Sequence, residues 1–223
     1  MTAIHGDTTL RATPSLERPP IDPAKELFVV DGVLDIATCR GLIEEADVDR
    51  WMTTTAEITR AANGPHTLPP RRVGEPSRPC RLLGADEPPP FAAVDDPVLA
   101  LRLFYRLTES LPTTRDAAEL AGLKPLLRCV RYHTDEGTQA HVDPIRATAD
   151  GQQSQLSVLV FLNDDFEGGG IEFPSLGRVV EAKAGRALVF PHAALHRDRS
   201  VTRGRKFVLE TEVFYSPHWQ PYR

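Results

Sequence analysis

The sequence has little of what marks secreted, membrane or nucleic-acid-binding proteins. Its three cysteines (Cys39, Cys80 and Cys129) are too few and too widely spaced for a disulfide framework, and they suit reduced thiols in a cytoplasm. A net charge of −5 supplies no basic field for phosphate backbones, so we expect no nucleic-acid partner. The apolar runs are strand-sized, far below the roughly 20 residues that span a bilayer. The first residues lack the basic and apolar regions of a signal peptide, so we expect a cytoplasmic protein without a membrane partner.

What is present is typical of one globular domain. The chain has 223 residues, of which 41% are hydrophobic and 26% are charged, enough for a full core. Residues 1–24 are polar and carry four prolines, which predicts a flexible N-terminal leader. Residues 25–223 are predicted to form a single domain with its core at 126–216. The oligomeric state is left open.

Two segments in the first half have helical patterning. In the first, Asp35 is placed to cap a helix that runs to Ala46, and apolar residues recur at i, i+3 and i+4. The residues of this predicted buried stripe are Ile36, Cys39, Leu42, Ile43 and Ala46. A second, leucine-rich helix is predicted over 97–108. Between the two helices, residues 53–97 are proline-rich and predict a long irregular loop at the rim of a site, or a plain connection.

From residue 126 onward the pattern becomes that of a β protein. Residues 126–132 alternate with period two, and residues 156–162 are rich in apolar and β-branched side chains. Further strands are predicted at 171–173, 178–182, 186–190 and 206–215. Short strands separated by turn residues predict a sandwich or a barrel.

The side chains suited to chemistry lie in this β-rich half. His141 and Asp143 stand at i and i+2, so an extended segment would present both on one face. A second histidine would complete a two-histidine, one-carboxylate set, which suits non-haem Fe(II) and leaves open positions. His196 is the preferred second histidine because His192 follows Pro191 in a predicted loop. The residues alone leave His192 open.

A second histidine–carboxylate pair competes with the first. His133 and Asp135 have the same i, i+2 spacing. They stand in a polar segment that ends at Gly137, which is typical of a turn. Rigid ligand geometry is not expected there, so His141 and Asp143 are preferred.

Residues 132–215 resemble the prolyl 4-hydroxylase-like branch of the 2-oxoglutarate and Fe(II)-dependent dioxygenases. Tyr132 lies nine residues before His141, and Lys206 lies ten after His196, as in that family. Three segments, 161–169, 173–174 and 185–190, are similar to the family's "YLN…F-GG", "FP" and "G-x-A-L-x-F" patterns. His133, Asp135 and His192 fit none of these spacings.

The resemblance implies a mainly β double-stranded β-helix of the jelly-roll, cupin-like kind with flanking α-helices. It implies that His141, Asp143 and His196 hold Fe(II). Lys206 would bind the distal carboxylate of the co-substrate 2-oxoglutarate, with Tyr132 and Ser157 as hydroxyl partners. It also implies hydroxylation of an unactivated C–H bond by O2, with release of succinate and CO2. Ascorbate (vitamin C) is a further candidate cofactor.

Two departures from the family pattern bear on the substrate. The strand that usually reads R-x-x-T here has Ser154 and Ser157 at those ends, and Thr138 stands where a second aromatic is frequent. We expect a small-molecule or peptide substrate: an amino-acid-like compound, a peptidyl proline or a secondary metabolite, with the small molecule preferred. Asp143 favours hydroxylation over halogenation, and desaturation stays open. The alternative function is a non-catalytic jelly-roll metal-binding or sensor module, which would have no use for Lys206.

Overall fold

The computed structural model describes residues 26–48, 82–83 and 91–217. The predicted leader at 1–24 and most of the proline-rich segment at 53–97 lie outside the described residues. Neither helix in the described ranges is long and apolar enough to cross a membrane.

An antiparallel sheet of eight strands forms the body of the domain. Its longest strand, β15 (Lys206–Pro217), pairs along one side with β8 (Gln153–Phe161). Along its other side β15 pairs first with β6 (Leu126–Tyr132) and then with β5 (Ala118–Leu123). The remaining strands of this sheet are β1 (Phe28–Val30), β3 (Phe91–Asp95), β4 (Thr114–Arg115) and β12 (Ala187–Pro191).

Shorter strands cover one face of this sheet. β10 (Ile171–Phe173) lies between β11 (Arg178–Val180) and β13 (Arg197–Asp198), and β9 (Glu167–Gly168) pairs with β14 (Val201–Arg203). β2 (Leu82–Leu83) pairs in parallel with β7 (Gly137–Thr138). Apolar side chains from β8, β10, β11, β12 and β15 share one buried cluster. The main sheet and these short strands therefore enclose an interior, as the predicted double-stranded β-helix requires.

Two helices cover the opposite face of the main sheet. In α1 (Ile36–Val48) the Thr38 N–H donates to Asp35 Oδ1 at 2.7 Å, which confirms the predicted cap. α2 (Pro97–Leu107) begins after Asp96 in the same way. Their apolar stripes pack in a second buried cluster against the sheet. The prediction was wrong for Ile36, which is 48% exposed because it lies in the first turn, at the rim of that cluster.

The strands that the sequence did not predict are those with weak local signals. β3 lies within the segment predicted to be irregular, and it forms because residues 91–95 pair with β6. β5 includes Gly122 and Glu119, residues that strands disfavour, and it is held along the C-terminal half of β15. In both cases a distant pairing partner outweighs the local composition.

The alternation of β15 decides which of its side chains face the interior. Phe207, Leu209 and Val213 pack toward the helices. Lys206 and Val208, with the opposite parity, face the interior, and Glu210 and Glu212 share that parity. Lys206 stands opposite Tyr132 on β6, and the strand partner of Ser157 is residue 212.

Candidate metal and co-substrate site

Backbone pairing brings His141 and His196 together. The His141 N–H donates to the His196 carbonyl and the His196 N–H donates to the His141 carbonyl, both at 2.9 Å. Two residues further on, the Asp143 N–H donates to the His192 carbonyl at 3.0 Å. The segment 141–143 therefore runs antiparallel to 192–196, and i, i+2 alternation puts His141 and Asp143 on the same side.

Both imidazoles are held in the tautomer that a metal ligand needs. His141 Nδ1 lies 2.8 Å from the Gln139 carbonyl oxygen, and His196 Nδ1 lies 2.9 Å from the Ala194 carbonyl oxygen. A carbonyl oxygen only accepts, so each Nδ1 carries the hydrogen and each Nε2 keeps a free lone pair. Histidines that bind a metal through one ring nitrogen commonly donate the other N–H to a backbone carbonyl in this way.

The two free nitrogens converge on one carboxylate. His141 Nε2 lies 3.8 Å from Asp143 Oδ1, and His196 Nε2 lies 3.9 Å from Asp143 Oδ2. These separations are too long for hydrogen bonds and leave space for a cation between the three groups. Among the residues that the structure describes, these three form the one cluster of at least three metal-ligating groups. Two imidazoles and a carboxylate fit Fe(II).

The site is dry on the His196 side and open on the other. His196 is buried against the rings of Phe190 and Phe173, with ring centroids 4.5 and 6.0 Å away. Burial lowers the pKa of His196, although the Asp143 carboxylate opposes this, so the imidazole stays in its neutral, metal-binding form. His141 and Asp143 are both partly exposed, which leaves an entrance on their side.

His192 is not one of the converging ligands but supports one of them. Its Nδ1 lies 2.7 Å from Ser157 Oγ, and Ser157 Oγ–H donates to Asp143. Its Nε2 lies 2.9 Å from Ser154 Oγ, which also accepts the Arg146 N–H at 2.9 Å. Because Ser157 donates to the carboxylate, His192 Nδ1–H must donate to Ser157, and Nε2 must accept from Ser154. The chain of hydrogen bonds therefore points toward Asp143.

Lys206 and Tyr132, which the resemblance assigns to the co-substrate, lie side by side in the interior. Lys206 is fully buried, and its Nζ lies 4.9 Å from the centre of the Tyr132 ring. Burial, together with the nearby Asp198 carboxylate, raises the pKa of Tyr132, which keeps its hydroxyl a donor. The structure places Ser157 elsewhere, on Asp143, so its role as a co-substrate partner stays a prediction.

Charged pairs line the interior near Asp143. Arg128 pairs with Glu210 at 2.5 Å, and Arg146 pairs with Glu212 at 2.9 Å. Glu210 and Glu212 share the parity of Lys206 on β15, so both face the interior, where each forms an ion pair. Glu212 Oε2 is buried and has no hydrogen-bond partner among the described residues.

The competing pair lies in a turn, as predicted. The His133 N–H donates to Glu136, and Asp135 has a left-handed φ of 69°. Sequence reasoning missed Asp198, whose carboxylate bonds to Lys206 at 2.5 Å. The sequence does contain a signal for Asp198. It stands two residues after His196, so both side chains lie on the same face of an extended segment.

Comparison with known proteins agrees with this geometry. Residues 127–211 match the 2OG-Fe(II) oxygenase superfamily, and this range contains all the residues assigned above to metal and co-substrate. No curated protein matches the chain by sequence.

Solved structures of prolyl hydroxylases share the fold. The viral collagen prolyl hydroxylase of Paramecium Bursaria Chlorella virus-1 is 16% identical with a TM-score of 0.55, over 92% of this chain and 99% of that one. A Pseudomonas putida prolyl-4-hydroxylase is 15% identical with a TM-score of 0.52, over 86% and 95%. A Trichoplax adhaerens prolyl hydroxylase, solved with a hypoxia inducible factor peptide, is 14% identical with a TM-score of 0.54, over 85% and 83%.

Proposed function

We propose that the chain is a 2OG-Fe(II) oxygenase, a dioxygenase that uses Fe(II), 2-oxoglutarate and O2, and that it hydroxylates an aliphatic C–H bond of an amino-acid-like small molecule. In this reaction 2-oxoglutarate, O2 and the substrate C–H give succinate, CO2 and the alcohol. The iron supplies the oxidative chemistry when bound. This proposal replaces the alternative function, a non-catalytic metal-binding or sensor module. A cytoplasmic location and a use of ascorbate stay predictions.

We assign the iron to His141, Asp143 and His196. What the chain contributes is orientation: the carbonyls of Gln139 and Ala194 hold both imidazoles with Nε2 toward the metal. Three protein ligands leave the remaining positions for co-substrate and O2. The Phe173 and Phe190 rings exclude water from the His196 side, where stray solvent would compete for a ligand position.

We assign the distal carboxylate of 2-oxoglutarate to Lys206 and Tyr132. Lys206 presents a buried point charge, and Tyr132 presents a hydroxyl donor from the neighbouring strand. Charge-assisted hydrogen bonds of this kind are short and strong where water is excluded. Ser157, which bonds to Asp143, is better suited to hold the metal carboxylate than the co-substrate.

The substrate class rests on the charged pairs beside Asp143. A free amino acid carries one carboxylate and one ammonium, and the Arg146–Glu212 ion pair offers both complementary charges. Arg146 is roughly half exposed and reachable by a carboxylate, whereas Glu212 has a buried oxygen that lacks a hydrogen-bond partner among the described residues and suits an ammonium. A peptide chain has neither charge at an internal proline. Peptidyl proline is the second candidate, and the fold shared with prolyl hydroxylases favours it.

Succinate formation from 2-oxoglutarate separates these candidates. Purified protein with Fe(II) and O2 is incubated with free amino acids, with proline-containing peptides, or with neither. We expect amino acids to stimulate succinate formation, and Arg146→Ala and Glu212→Gln to raise KM for them at least tenfold. Arg203→Ala is the control, because Arg203 forms an exposed ion pair with Glu167 that involves neither Arg146 nor Glu212. If only the peptides stimulate succinate formation, peptidyl proline replaces the free amino acid as the substrate class.

A further inference from the structure

The cation assigned to the co-substrate already has a carboxylate partner within the chain. Lys206 Nζ lies 2.5 Å from Asp198 Oδ1 and donates to the Gly169 carbonyl at 2.7 Å. Lys206 has no exposed surface, and Asp198 is 8% exposed. This is a buried ion pair in the interior of the β-helix.

The neighbouring hydroxyl groups also converge on Asp198. The Tyr132 hydroxyl donates to its carboxylate, and the Thr138 hydroxyl lies 3.4 Å from Asp198 Oδ2. The Asp198 N–H donates back to Thr138 Oγ1 at 2.8 Å. Asp198 therefore engages the donors that a distal carboxylate of 2-oxoglutarate would need, Lys206 and Tyr132.

Lys206 has little freedom to leave this partner. A β-carbon added to Gly169 would lie 3.2 Å from Lys206 Cδ and 2.8 Å from the Phe166 ring, so the stem of the lysine is closely packed there. The Tyr132 and Phe161 rings lie 4.9 and 5.7 Å from its ammonium on other sides. A second carboxylate must therefore share the ammonium with Asp198 or displace Asp198.

Sharing is unfavourable on electrostatic grounds. Lys206 and Asp198 together are neutral, and a second carboxylate would leave a net negative charge in a buried pocket. Placing an unpaired charge in a dry interior is strongly unfavourable. Displacement instead breaks the charge-assisted bond between Lys206 and Asp198 before the co-substrate can form its own.

We propose that Asp198 is a specificity-determining residue, an internal carboxylate that competes with the distal carboxylate of 2-oxoglutarate for Lys206. The chain then binds 2-oxoglutarate weakly and discriminates little against 2-oxo acids that lack the second carboxylate. This inference rests on the proposed function, in which Lys206 faces the co-substrate.

Calorimetric titration under anaerobic conditions tests it on the Fe(II)-loaded protein. The two probes are 2-oxoglutarate and 2-oxopentanoate, which has the same carbon chain but ends in a methyl group. We expect the wild-type dissociation constants to differ by less than about tenfold. Asp198→Asn keeps the shape and removes the competing charge, so it should bind 2-oxoglutarate about 10- to 100-fold more tightly, with 2-oxopentanoate unchanged.

Asp31→Asn is the matched control, because Asp31 is an exposed carboxylate paired with Lys183 and Arg186. It should leave both affinities unchanged. A wild type that already prefers 2-oxoglutarate by more than a hundredfold overturns the proposal, even if Asp198→Asn does not fold. So does a folded Asp198→Asn with unchanged or weaker 2-oxoglutarate binding. Failure of the wild type and of Asp198→Asn to bind either 2-oxo acid would instead count against the proposed function.

Discussion

His141 and His196 exchange two backbone hydrogen bonds of 2.9 Å, one in each direction, across the two segments that carry the candidate iron ligands. The side-chain direction of each histidine is set by this pairing and by the carbonyl two residues before it. The geometry therefore does not depend on the metal to assemble it. Preorganisation of this kind reduces the entropy cost of binding.

The first prediction concerns the three ligands. His141→Ala, Asp143→Ala and His196→Ala should each abolish iron-dependent succinate formation, because two remaining ligands hold Fe(II) weakly. Fe(II) titration and succinate assay give the readouts. His133→Ala is the control, since His133 lies in a turn away from the cluster, and loss of iron binding in that variant would contradict the assignment.

The second prediction concerns His192. The family spacings exclude His192 as a ligand, which by itself predicts that His192→Ala keeps most activity, but the structure shows that His192 orients Asp143 through Ser157. Loss of such a supporting residue typically lowers metal affinity by about 10–100-fold. We therefore expect weaker Fe(II) binding in His192→Ala, and activity that recovers at high iron concentration.

Ser157→Ala provides the cross-check for His192. Because Ser157 and His192 act through one chain of hydrogen bonds, the double variant should bind Fe(II) about as weakly as either single variant. Additive losses would mean that His192 supports the site by another route. If His192→Ala is inactive and added Fe(II) does not restore its activity, His192 is itself a metal ligand.

The third prediction concerns the buried ion pair. Lys206→Met leaves Asp198 charged and unpartnered in the interior, and breaking a buried pair in this way costs about 3–5 kcal/mol of stability. The double variant with Asp198→Asn removes both charges and should recover most of that loss. Urea unfolding measures the stability of each variant.

The same variants report on co-substrate binding. Both Lys206→Met and the double variant should lose 2-oxoglutarate affinity, because neither keeps the cation. Arg205→Ala is the neighbouring control, since Arg205 is exposed and its side chain lies over the Phe207 ring. A large rise in KM for 2-oxoglutarate in Arg205→Ala alone would move the role to that residue.

The fourth prediction concerns Gly185 in the segment that leads into β12. Gly185 has a φ of 77°, and a β-carbon there would lie 2.2 Å from the Leu34 carbonyl oxygen. Gly185→Ala combines backbone strain with a clash and should destabilise the fold by about 2–4 kcal/mol. Gly177→Ala is matched in φ, at 58°, but no atom lies within 4 Å, so it should cost only about 1 kcal/mol. Chemical denaturation measures the free energy of unfolding of both variants. Equal losses would show that backbone strain, and not the clash with Leu34, sets the cost.

Local patterns in the sequence were sufficient for much of the fold. Alternation over 126–132 predicted β6, and Asp35 predicted the start of α1, because periodicity and capping act within a few residues. The i, i+2 spacing of His141 and Asp143 placed them on one face for the same reason. These inferences need no knowledge of a distant partner.

Tertiary structure alone decided what lies opposite these residues. On residues alone His192 and His196 both stayed open as the second histidine, and only the pairing of 141–143 with 192–196 puts His196 on the cluster and His192 behind Asp143. The bond between Lys206 and Asp198 likewise depends on two segments from different sheets meeting in the interior. Strand register and sheet closure are set by contacts between residues far apart along the chain, and no local spacing encodes them.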